Sequence, residues 1–207
     1  MKVVLVNGSP RPNGCTFTAL TEVAGALKKN GIETQIFQVG KKPVAGCLEC
    51  GACSNTKMCV IEDVVRDFAE VAETADGFVF GSPVYYASIN GQMSAFLDRV
   101  FYSGIIDGAG KPGAAVVSCR RGGASAAFDQ MNKYFGISGM ITVGSQYWNS
   151  VHGNTPDEVR RDLEGMQTMR TLGNNMAWIL KCIEAGKKEG IFYPGLTEPK
   201  EFTNFIR

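Results

Sequence analysis

The amino-acid sequence predicts an α/β fold, with a doubly wound, five-stranded parallel sheet and helices on both faces. Three observations lead to this prediction. Five short apolar runs alternate with five segments of helical spacing, the arrangement of βαβ units joined by right-handed crossovers. The first run starts at residue 2 and is rich in Val and Leu, as in a strand buried on both faces. The 207 residues show no repeat or long linker, so we expect a single domain spanning residues 1–207.

Each predicted strand is a short apolar run bounded by turn residues. The runs KVVLV at residues 2–6 and GFVFG at residues 77–81 are continuous, which is typical of central parallel strands. ETQIFQV at residues 33–39 alternates between polar and apolar positions, as a half-buried strand does. GAAVVS at residues 113–118 and the short run at residues 140–143 complete the sheet.

Helical spacing of apolar residues predicts a helix after each strand. The first helix runs from residue 16 to the pair Asn30–Gly31, which is a common C-cap. The polar, cysteine-rich segment at residues 41–59 has no periodicity and is expected to be a loop. The same spacing as in the first helix predicts helices at residues 60–75, 92–101 and 124–135.

The last helix has a well-marked start. Thr155 is expected to be its N-cap, Pro156 occupies the first helical position, and Glu158 completes a capping box. We expect this helix to be interrupted near Gly173 and to end around Gly186, where Gly and Lys supply a stop.

Composition narrows the class of protein and its location. The formal net charge is +1 and the charges are spread along the chain, so we expect no nucleic-acid partner and no membrane surface. No apolar run has the length of a membrane span, and the chain enters its first strand without a signal peptide. We therefore expect a cytoplasmic protein, in which the seven cysteines are thiols or metal ligands rather than disulfides.

The turn NGSPRPNGCT at residues 7–16 is the strongest candidate for a ligand site. It joins the first strand to the first helix, where free backbone N–H groups and the helix dipole attract an anion. Ser9, Asn13 and Thr16 can add side-chain hydrogen bonds, and Arg11 can add positive charge. The alternative is an ordinary turn whose Ser and Thr only cap the helix. The number of phosphate-competent groups favours phosphate binding.

Two common phosphate loops do not match this turn. It lacks the GxxxxGKS/T pattern, and with it the lysine that nucleoside triphosphate hydrolysis needs. A GxGxxG pattern is also missing after the first strand. One such match occurs at residues 108–113, but it precedes a strand and is interrupted by Pro112, so we interpret it as a chance turn.

Two later loops should reach the same crevice, because ligands of such sheets bind beyond the carboxyl ends of the strands. SPVYYASIN at residues 82–90 carries Pro83, which stiffens the turn, and Tyr85 and Tyr86, either of which can lie against a planar ring. Edge packing is the alternative for both tyrosines. CRRGG at residues 119–123 offers glycine N–H donors and two arginines, one of which we expect to be solvated surface charge.

These three loops, in this order, resemble those of the flavodoxin-like NAD(P)H-dependent FMN reductases, and in particular the branch that contains the iron–sulfur flavoproteins. The resemblance continues through GSQYWNSVHGNTPDEVRRDLEGMQTMRTLGNNMAW and covers nearly the whole chain. It implies a flavodoxin-like fold, whose five strands lie in the order 2-1-3-4-5, with bound FMN. The phosphate would be held by Ser9, Arg11, Asn13, Gly14, Cys15 and Thr16, the ring would lie along Pro83, Val84, Tyr85 and Tyr86, and its pyrimidine edge would contact Arg120, Arg121, Gly122 and Gly123. The family often has Asn or Ser where this chain has Cys15, so only the backbone N–H is expected to serve there.

The resemblance also implies an NAD(P)H-dependent oxidoreductase that passes electrons through FMN to a quinone, a flavin, an aromatic compound or a protein. Hydride transfer to a flavin needs orientation more than an acid–base group, so no catalytic residue is predicted and the lone His152 is interpreted as structural. Tyr147 and Trp148 are expected near the flavin, with a subunit contact as the alternative. Two other functions stay open: an electron carrier between ferredoxin-type partners, and a redox-sensing module without turnover. The near-neutral charge argues against a carrier resembling the acidic flavodoxins.

Four cysteines form a second candidate site. Cys47, Cys50, Cys53 and Cys59 are spaced C-x2-C-x2-C-x5-C, and four thiolates so close together suit an iron–sulfur cluster. The resemblance to the iron–sulfur flavoproteins implies a four-iron four-sulfur cluster that passes electrons to FMN. Metal-free thiols, a zinc site and disulfides formed on oxidation are the alternatives.

A homodimer or homotetramer is expected for a physical reason. A flavin ring bound at strand ends is exposed on one face, and the irregular tail at residues 191–207 carries aromatic side chains that need cover. These are Phe192, Tyr193, Phe202 and Phe205.

Overall fold

A parallel sheet with helices on both faces forms the centre of the computed structural model, which describes residues 1–201 and 203. In chain order its elements are β1 (Lys2–Asn7), α1 (Cys15–Lys29), β2 (Glu33–Gln38), α2 (Cys53–Thr56), α3 (Val64–Glu73), β3 (Gly77–Tyr85), β4 (Ser88–Ile89), α4 (Gly91–Ser103), β5 (Pro112–Cys119), α5 (Ala124–Ile137), β6 (Ile141–Thr142), β7 (Ser150–His152), α6 (Pro156–Arg161) and α7 (Leu163–Lys188). None of these helices is both long enough and apolar enough to cross a bilayer. Residues 191–200 form no helix or strand, and the predicted tail aromatics Phe202 and Phe205 lie outside the described residues.

The main strands are parallel and lie in the order β2-β1-β3-β5-β6, which confirms the predicted strand order. β4 runs antiparallel beside the end of β3, and β7 pairs with the end of β5. The register brings the carboxyl ends of the central strands level, since Asn7 faces Gly81 and Pro83 faces Ser118. The three candidate loops therefore leave the sheet at one edge, beside β1, where the strand order reverses.

Two apolar layers bury the central strands. Successive side chains of a strand point to opposite faces, so Val4 and Val6 of β1 pack in one layer and Val3 and Leu5 in the other. The first layer is rich in phenylalanine and is covered by α3, α4 and α5, and the second is covered mainly by α1 and α7. Burial on both faces explains why these strands are continuous apolar runs.

β3 is longer than predicted. It runs to Tyr85, so the first four residues of the loop predicted at residues 82–90 continue the strand, and Pro83 pairs with Ser118 of β5. A proline near the end of a strand is tolerated because it removes a single ladder donor. The hairpin to β4 was not predicted, because its two-residue turn, Tyr86–Ala87, lacks the Gly or Asn that usually marks such turns.

Two predicted helix boundaries are wrong. α3 begins four residues later than expected, because Asp63 caps it by accepting a hydrogen bond from the Val65 N–H at 3.1 Å. The C-terminal helix is not interrupted near Gly173. It breaks instead at Asp162, which follows α6 and caps α7 by accepting a bond from the Gly165 N–H at 3.0 Å.

Smaller differences concern the edge of the sheet and one cap. The fifth strand, predicted at residues 140–143, is only two residues long in β6, and β7 extends this edge further along β5. Thr155 is confirmed as an N-cap, since its hydroxyl accepts a bond from the Glu158 N–H at 3.3 Å. The Glu158 carboxylate accepts a bond from the Asn154 N–H at 2.6 Å, one residue earlier than a capping box requires.

Gly173 lies where α7 touches α1, because a Cβ built on it would be 2.7 Å from the Ala26 Cβ and 2.8 Å from the Val23 carbonyl oxygen. We expect Gly173→Ala to lower the free energy of unfolding by up to about 2 kcal/mol, since overpacking costs about 1–3 kcal/mol and the gain in helix propensity offsets roughly 1 kcal/mol of it. Gly25→Ala on α1 is the matched control, because a Cβ there meets nothing within 4 Å. Urea unfolding of both variants measures the difference, and stabilisation of both would contradict this packing.

Candidate functional site

Hydrogen bonds join the three candidate loops at the carboxyl edge of the sheet. The Gly8 N–H donates to the Gly81 carbonyl at 2.8 Å, which ties the first loop to β3. The Asn90 side-chain amide donates to the Gly8 carbonyl at 2.8 Å, which ties the same loop to the start of α4. The hydroxyls of Thr16 and Ser118 are 2.8 Å apart, which ties α1 to β5. The structure therefore brings these loops together at one edge of the sheet.

The first loop presents a helix start that no side chain caps. α3, α4, α6 and α7 each begin with a capping side chain, whereas α1, α5 and the single-turn α2 do not. The N-cap of α1 is the buried Gly14, so the N–H groups of the first helical turn have no side-chain acceptor. An uncapped helix N-terminus on a polar loop is suited to a phosphate.

Two residues that the sequence analysis missed hold this loop in shape. Asn7 accepts a bond from the Ser9 N–H at 3.1 Å and donates to the Gln38 side chain at 2.6 Å. Gln38 in turn donates to the Ser9 carbonyl at 2.7 Å. A detectable signal existed, since Asn7 and Gln38 are polar residues that end two neighbouring strands.

The predicted phosphate ligands differ in what their side chains can offer. Arg11 and Asn13 are exposed on the loop, and the Ser9 hydroxyl accepts a bond from the Arg11 N–H at 3.2 Å. Thr16 is only 1% exposed and its hydroxyl is engaged by Ser118, which leaves its backbone N–H for a ligand. Burial raises the pKa of the Cys15 thiol, which therefore stays protonated near neutral pH. Contact of these residues with phosphate stays a prediction.

The second loop is a strained hairpin. Its turn residues Tyr86 and Ala87 have φ of 49° and 59°, a left-handed conformation that costs a non-glycine residue roughly 1–2 kcal/mol. Tyr86 is fully exposed and Tyr85 is half exposed, whereas Pro83 and Val84 are half buried. Backbone strain that the surrounding structure maintains is common at ligand sites.

The third loop packs directly on this hairpin. Gly123, the N-cap of α5, has φ of 86°, and a Cβ on it would lie 2.7 Å from the Ala87 Cα and 3.1 Å from a Val84 methyl group. The hairpin is also held from α5, because the Gln130 carbonyl oxygen accepts bonds from the Ser88 hydroxyl at 2.7 Å and the Ile89 N–H at 3.2 Å. The predicted ligands Arg120, Arg121 and Gly122 are exposed beside this contact.

The loops after β6 and β7 border the same edge of the sheet. Tyr147 and Trp148 form a T-shaped pair with ring centroids 4.4 Å apart, and both are about half exposed. The His152 backbone N–H donates to the Asp162 carboxylate at 2.6 Å, while its ring nitrogen lies 3.6 Å from the same carboxylate oxygen. The neighbouring Gly153 N–H donates to the Cys119 carbonyl at 2.9 Å, which fixes this loop beside the third one.

The four motif cysteines line one cavity beside α4. Cys47, Cys50, Cys53 and Cys59 share it with Arg99 and Tyr102. Within residues 1–201 and 203, no three His, Cys, Asp or Glu side chains are gathered closely enough to hold a metal ion. The number and type of these donors nevertheless fit an iron–sulfur cluster, since all four cysteines face a common space.

A buried arginine lies beside this cavity, and the sequence analysis missed it. Arg99 of α4 is 1% exposed and makes a bidentate ion pair with Asp63, at 2.6 and 2.9 Å. It also donates two hydrogen bonds to the Cys59 sulfur, at 3.3 and 3.2 Å. Burial acts to lower the pKa of Arg99, but its bonds to Asp63 and Cys59 raise it above the usual range, so the guanidinium stays charged.

Comparisons with known proteins agree with this geometry. Residues 1–155 of the 207 match the family described as NADPH-dependent FMN reductase. An iron–sulfur flavoprotein of Methanocaldococcus jannaschii is 32% identical over 192 residues, covering 89% of this chain and 100% of the relative. An iron–sulfur flavoprotein of Methanosarcina thermophila is 29% identical over 192 residues, covering 90% of this chain and 99% of the relative. The flavodoxin, WrbA-like protein from Agrobacterium tumefaciens has a TM-score of 0.61 at 16% identity, covering 87% of this chain and 98% of that chain, which shows a shared fold.

The carboxyl edge of the sheet carries groups that suit FMN. The uncapped start of α1 suits a phosphate, the uncapped start of α5 carries N–H donors that suit a polar ring edge, and the hairpin at the end of β3, the strand between β1 and β5, exposes two tyrosines. Family, relatives and site geometry lead to one conclusion. The chain belongs to the NADPH-dependent FMN reductase family, within the branch of the iron–sulfur flavoproteins, and is an FMN-binding flavoprotein with a flavodoxin-like fold.

Proposed function

We propose that this flavoprotein takes electrons from NADH or NADPH and passes them to a quinone, a flavin, an aromatic compound or a redox protein. The observation that carries the proposal is the position of two uncapped helix starts, those of α1 and α5, after the two strands that flank β3, whose end forms the strained hairpin. Bound FMN supplies the redox chemistry, because its ring accepts a hydride and releases electrons singly or in pairs.

The role of the chain in this reaction is to bind and orient. The N-terminus of α1 and Arg11 hold a phosphate, since backbone N–H groups, the helix dipole and a guanidinium all favour an anion. The N–H groups that begin α5 stabilise negative charge at a reduced ring. Tyr85 and Tyr86 offer planar surfaces beside the ring, and their exposure leaves room for a nicotinamide or an acceptor.

Anaerobic stopped-flow mixing of the FMN-loaded protein with NADH or NADPH tests the proposal. Rapid bleaching of the flavin absorbance, followed by reoxidation on adding a quinone, is the expected result. If neither nucleotide bleaches the flavin, the proposed reductase activity is refuted, whereas the conclusion that the protein binds FMN is unaffected. Comparison of the two rates also gives the preferred nucleotide.

A second candidate function is electron transfer between ferredoxin-type partners through a four-iron four-sulfur cluster held by Cys47, Cys50, Cys53 and Cys59. It is favoured by the shared cavity of these four cysteines and by the charged donor at Cys59. The names of the relatives also support it. Assays of iron and acid-labile sulfide on anaerobically purified protein should give about four of each per chain if the cluster is present. Zinc alone, or no metal, would refute it.

Self-association is part of the proposal. Tyr85, Tyr86, Tyr147 and Trp148 expose aromatic surface around the crevice, and a second copy of the chain could cover it as a homodimer or homotetramer. Light scattering of the FMN-loaded protein would measure the mass. We also propose a reducing compartment such as the cytoplasm, in which the seven cysteines serve as thiols or metal ligands.

A further inference from the structure

The guanidinium of Arg99 is the buried charge nearest to the cysteine cavity, and its donors are fully used. Two bonds go to the Asp63 carboxylate and two to the Cys59 sulfur. Two more go to the carbonyls of Ala45 and Ile61, at 3.3 and 3.2 Å. These four acceptors lie on the segment that runs from before the first motif cysteine to the start of α3. One side chain of α4 therefore holds both ends of the cysteine segment.

Cys59 differs from the other three motif cysteines in the hydrogen bonds that its sulfur accepts. Cys47 and Cys50 are exposed, and the Cys47 sulfur accepts a bond from the nearby Glu49 N–H at 3.4 Å. Cys59 accepts its two bonds from a residue forty positions away, on a helix that is part of the core. The position of the Cys59 sulfur is thus set by the tertiary structure, whereas Cys47 and Cys50 lie on an exposed segment and Cys53, which is partly buried, begins the single-turn α2.

The chemistry of these two bonds points to a ligated sulfur. A neutral thiol is a weak acceptor, whereas a thiolate that carries negative charge attracts charged N–H donors strongly. Hydrogen bonds to the sulfurs of an iron–sulfur cluster are also one of the means by which a protein sets its reduction potential. The buried guanidinium of Arg99 places two N–H groups on the Cys59 sulfur. This contact is of the kind that a ligated thiolate attracts and that adjusts the reduction potential of a cluster.

The same helix reaches the FMN crevice. α4 begins after Asn90, whose side chain holds the Gly8 carbonyl of the phosphate loop. Arg99 lies nine residues further on, about 14 Å along the helix axis at 1.5 Å per residue. One helix, α4, thus contacts the loop after β1 through its N-cap, Asn90, and Cys59 through Arg99.

We propose that Arg99 is a positioning residue for the iron–sulfur cluster: it fixes Cys59 ready to bind and keeps the reduction potential of the cluster high. This inference rests on the proposed cluster. Asp63 is its partner, because its carboxylate both orients the guanidinium and caps α3. Supporting groups around metal ligands affect metal affinity in the same way.

Two variants remove the hydrogen bonds between Arg99 and the Cys59 sulfur in different ways. Arg99→Lys keeps the charge but loses the planar fork that reaches Asp63 and Cys59 together. The double variant Arg99→Met, Asp63→Asn removes both charges at once, and an asparagine at position 63 can still cap α3. Arg66→Met is the matched control, because Arg66 forms an exposed ion pair with Glu62 on the neighbouring turn and does not contact a cysteine sulfur.

Each protein is reconstituted anaerobically with iron and sulfide, and the cluster is followed by electron paramagnetic resonance during a redox titration. We expect both Arg99 variants to bind the cluster about 10- to 100-fold more weakly. Any cluster they retain should have a lower reduction potential, while Arg66→Met matches the unmodified chain. FMN content serves as the folding check, and if the double variant fails it, Arg99→Lys decides the outcome.

The possible results separate the inference from the proposal beneath it. A wild-type potential and wild-type iron content in a folded Arg99 variant would overturn the inference and leave the cluster proposal standing. If the unmodified chain takes up no iron and sulfide, the cluster proposal fails and the inference fails with it.

Discussion

Replacement of Gly123 by alanine is expected to weaken FMN binding by about 10- to 100-fold. The left-handed backbone of Gly123 costs alanine roughly 1–2 kcal/mol, and overpacking costs about 1–3 kcal/mol more, because the new Cβ would lie 2.7 Å from the Ala87 Cα. Because Ala87 Cα is a backbone atom, it cannot rotate away as the end of a flexible side chain can. The whole hairpin must shift to make room for the new Cβ. If about 1.4–2.8 kcal/mol of this energy appears in binding, the dissociation constant rises by the stated factor, since each 1.4 kcal/mol is about tenfold.

Gly122→Ala is the matched control for this prediction. Gly122 is the preceding residue, and a Cβ on it would meet nothing within 4 Å. Flavin fluorescence titration should give this control an affinity close to that of the unmodified chain. Equal affinities of the two alanine variants would show that the packing of Gly123 on the hairpin does not shape the FMN site.

Asn90→Ala is expected to lower the free energy of unfolding by about 2–4 kcal/mol. The loss of the N-cap of α4, where Asn90 accepts a bond from the Met93 N–H at 2.9 Å, accounts for about 1 kcal/mol. Its amide also donates to the Gly8 carbonyl, and a buried acceptor left unpaired costs about 1–3 kcal/mol. Urea unfolding of the FMN-free protein measures the total, and FMN affinity should fall as well because Gly8 loses its anchor.

Thr155→Ala is the control that separates the contribution of an N-cap from that of the bond to the Gly8 carbonyl. Thr155 caps the exposed start of α6 and its hydroxyl accepts one bond, from the Glu158 N–H. Its replacement should cost about 1 kcal/mol, the typical value for an N-cap. A loss for Asn90→Ala no greater than this would mean that the bond to Gly8 does not stabilise the fold.

The strands and the positions of the candidate loops could be predicted from local patterns, whereas the strand order was implied by the family resemblance. Continuous apolar runs identify parallel strands because both faces of such a sheet are buried, as they are for β1 and β3. The turn at residues 7–16 follows directly from its place between a strand and a helix. The start at Thr155 was also predictable, because capping depends on residues within one turn.

Other features depended on contacts between distant segments. Gly173 was expected to interrupt a helix, yet it lies inside α7 because the packing of α1 leaves no room for a Cβ. The hairpin at Tyr86–Ala87 has no local turn signal, and the contacts from Gly123 and Gln130 hold it in place. The Thr16 hydroxyl was expected to be free for a ligand and is instead bonded to Ser118, over one hundred residues away.

The sequence by itself determined the strands, the loops that follow them and the four cysteines, because each of these depends on residues close together along the chain. Only the tertiary structure decided how those groups are held. It placed Asn90 on the loop after β1, Gly123 against the hairpin and Arg99 on Cys59. The physical reason is that burial makes a polar contact both necessary and strong, and burial is a property of packed elements rather than of local sequence.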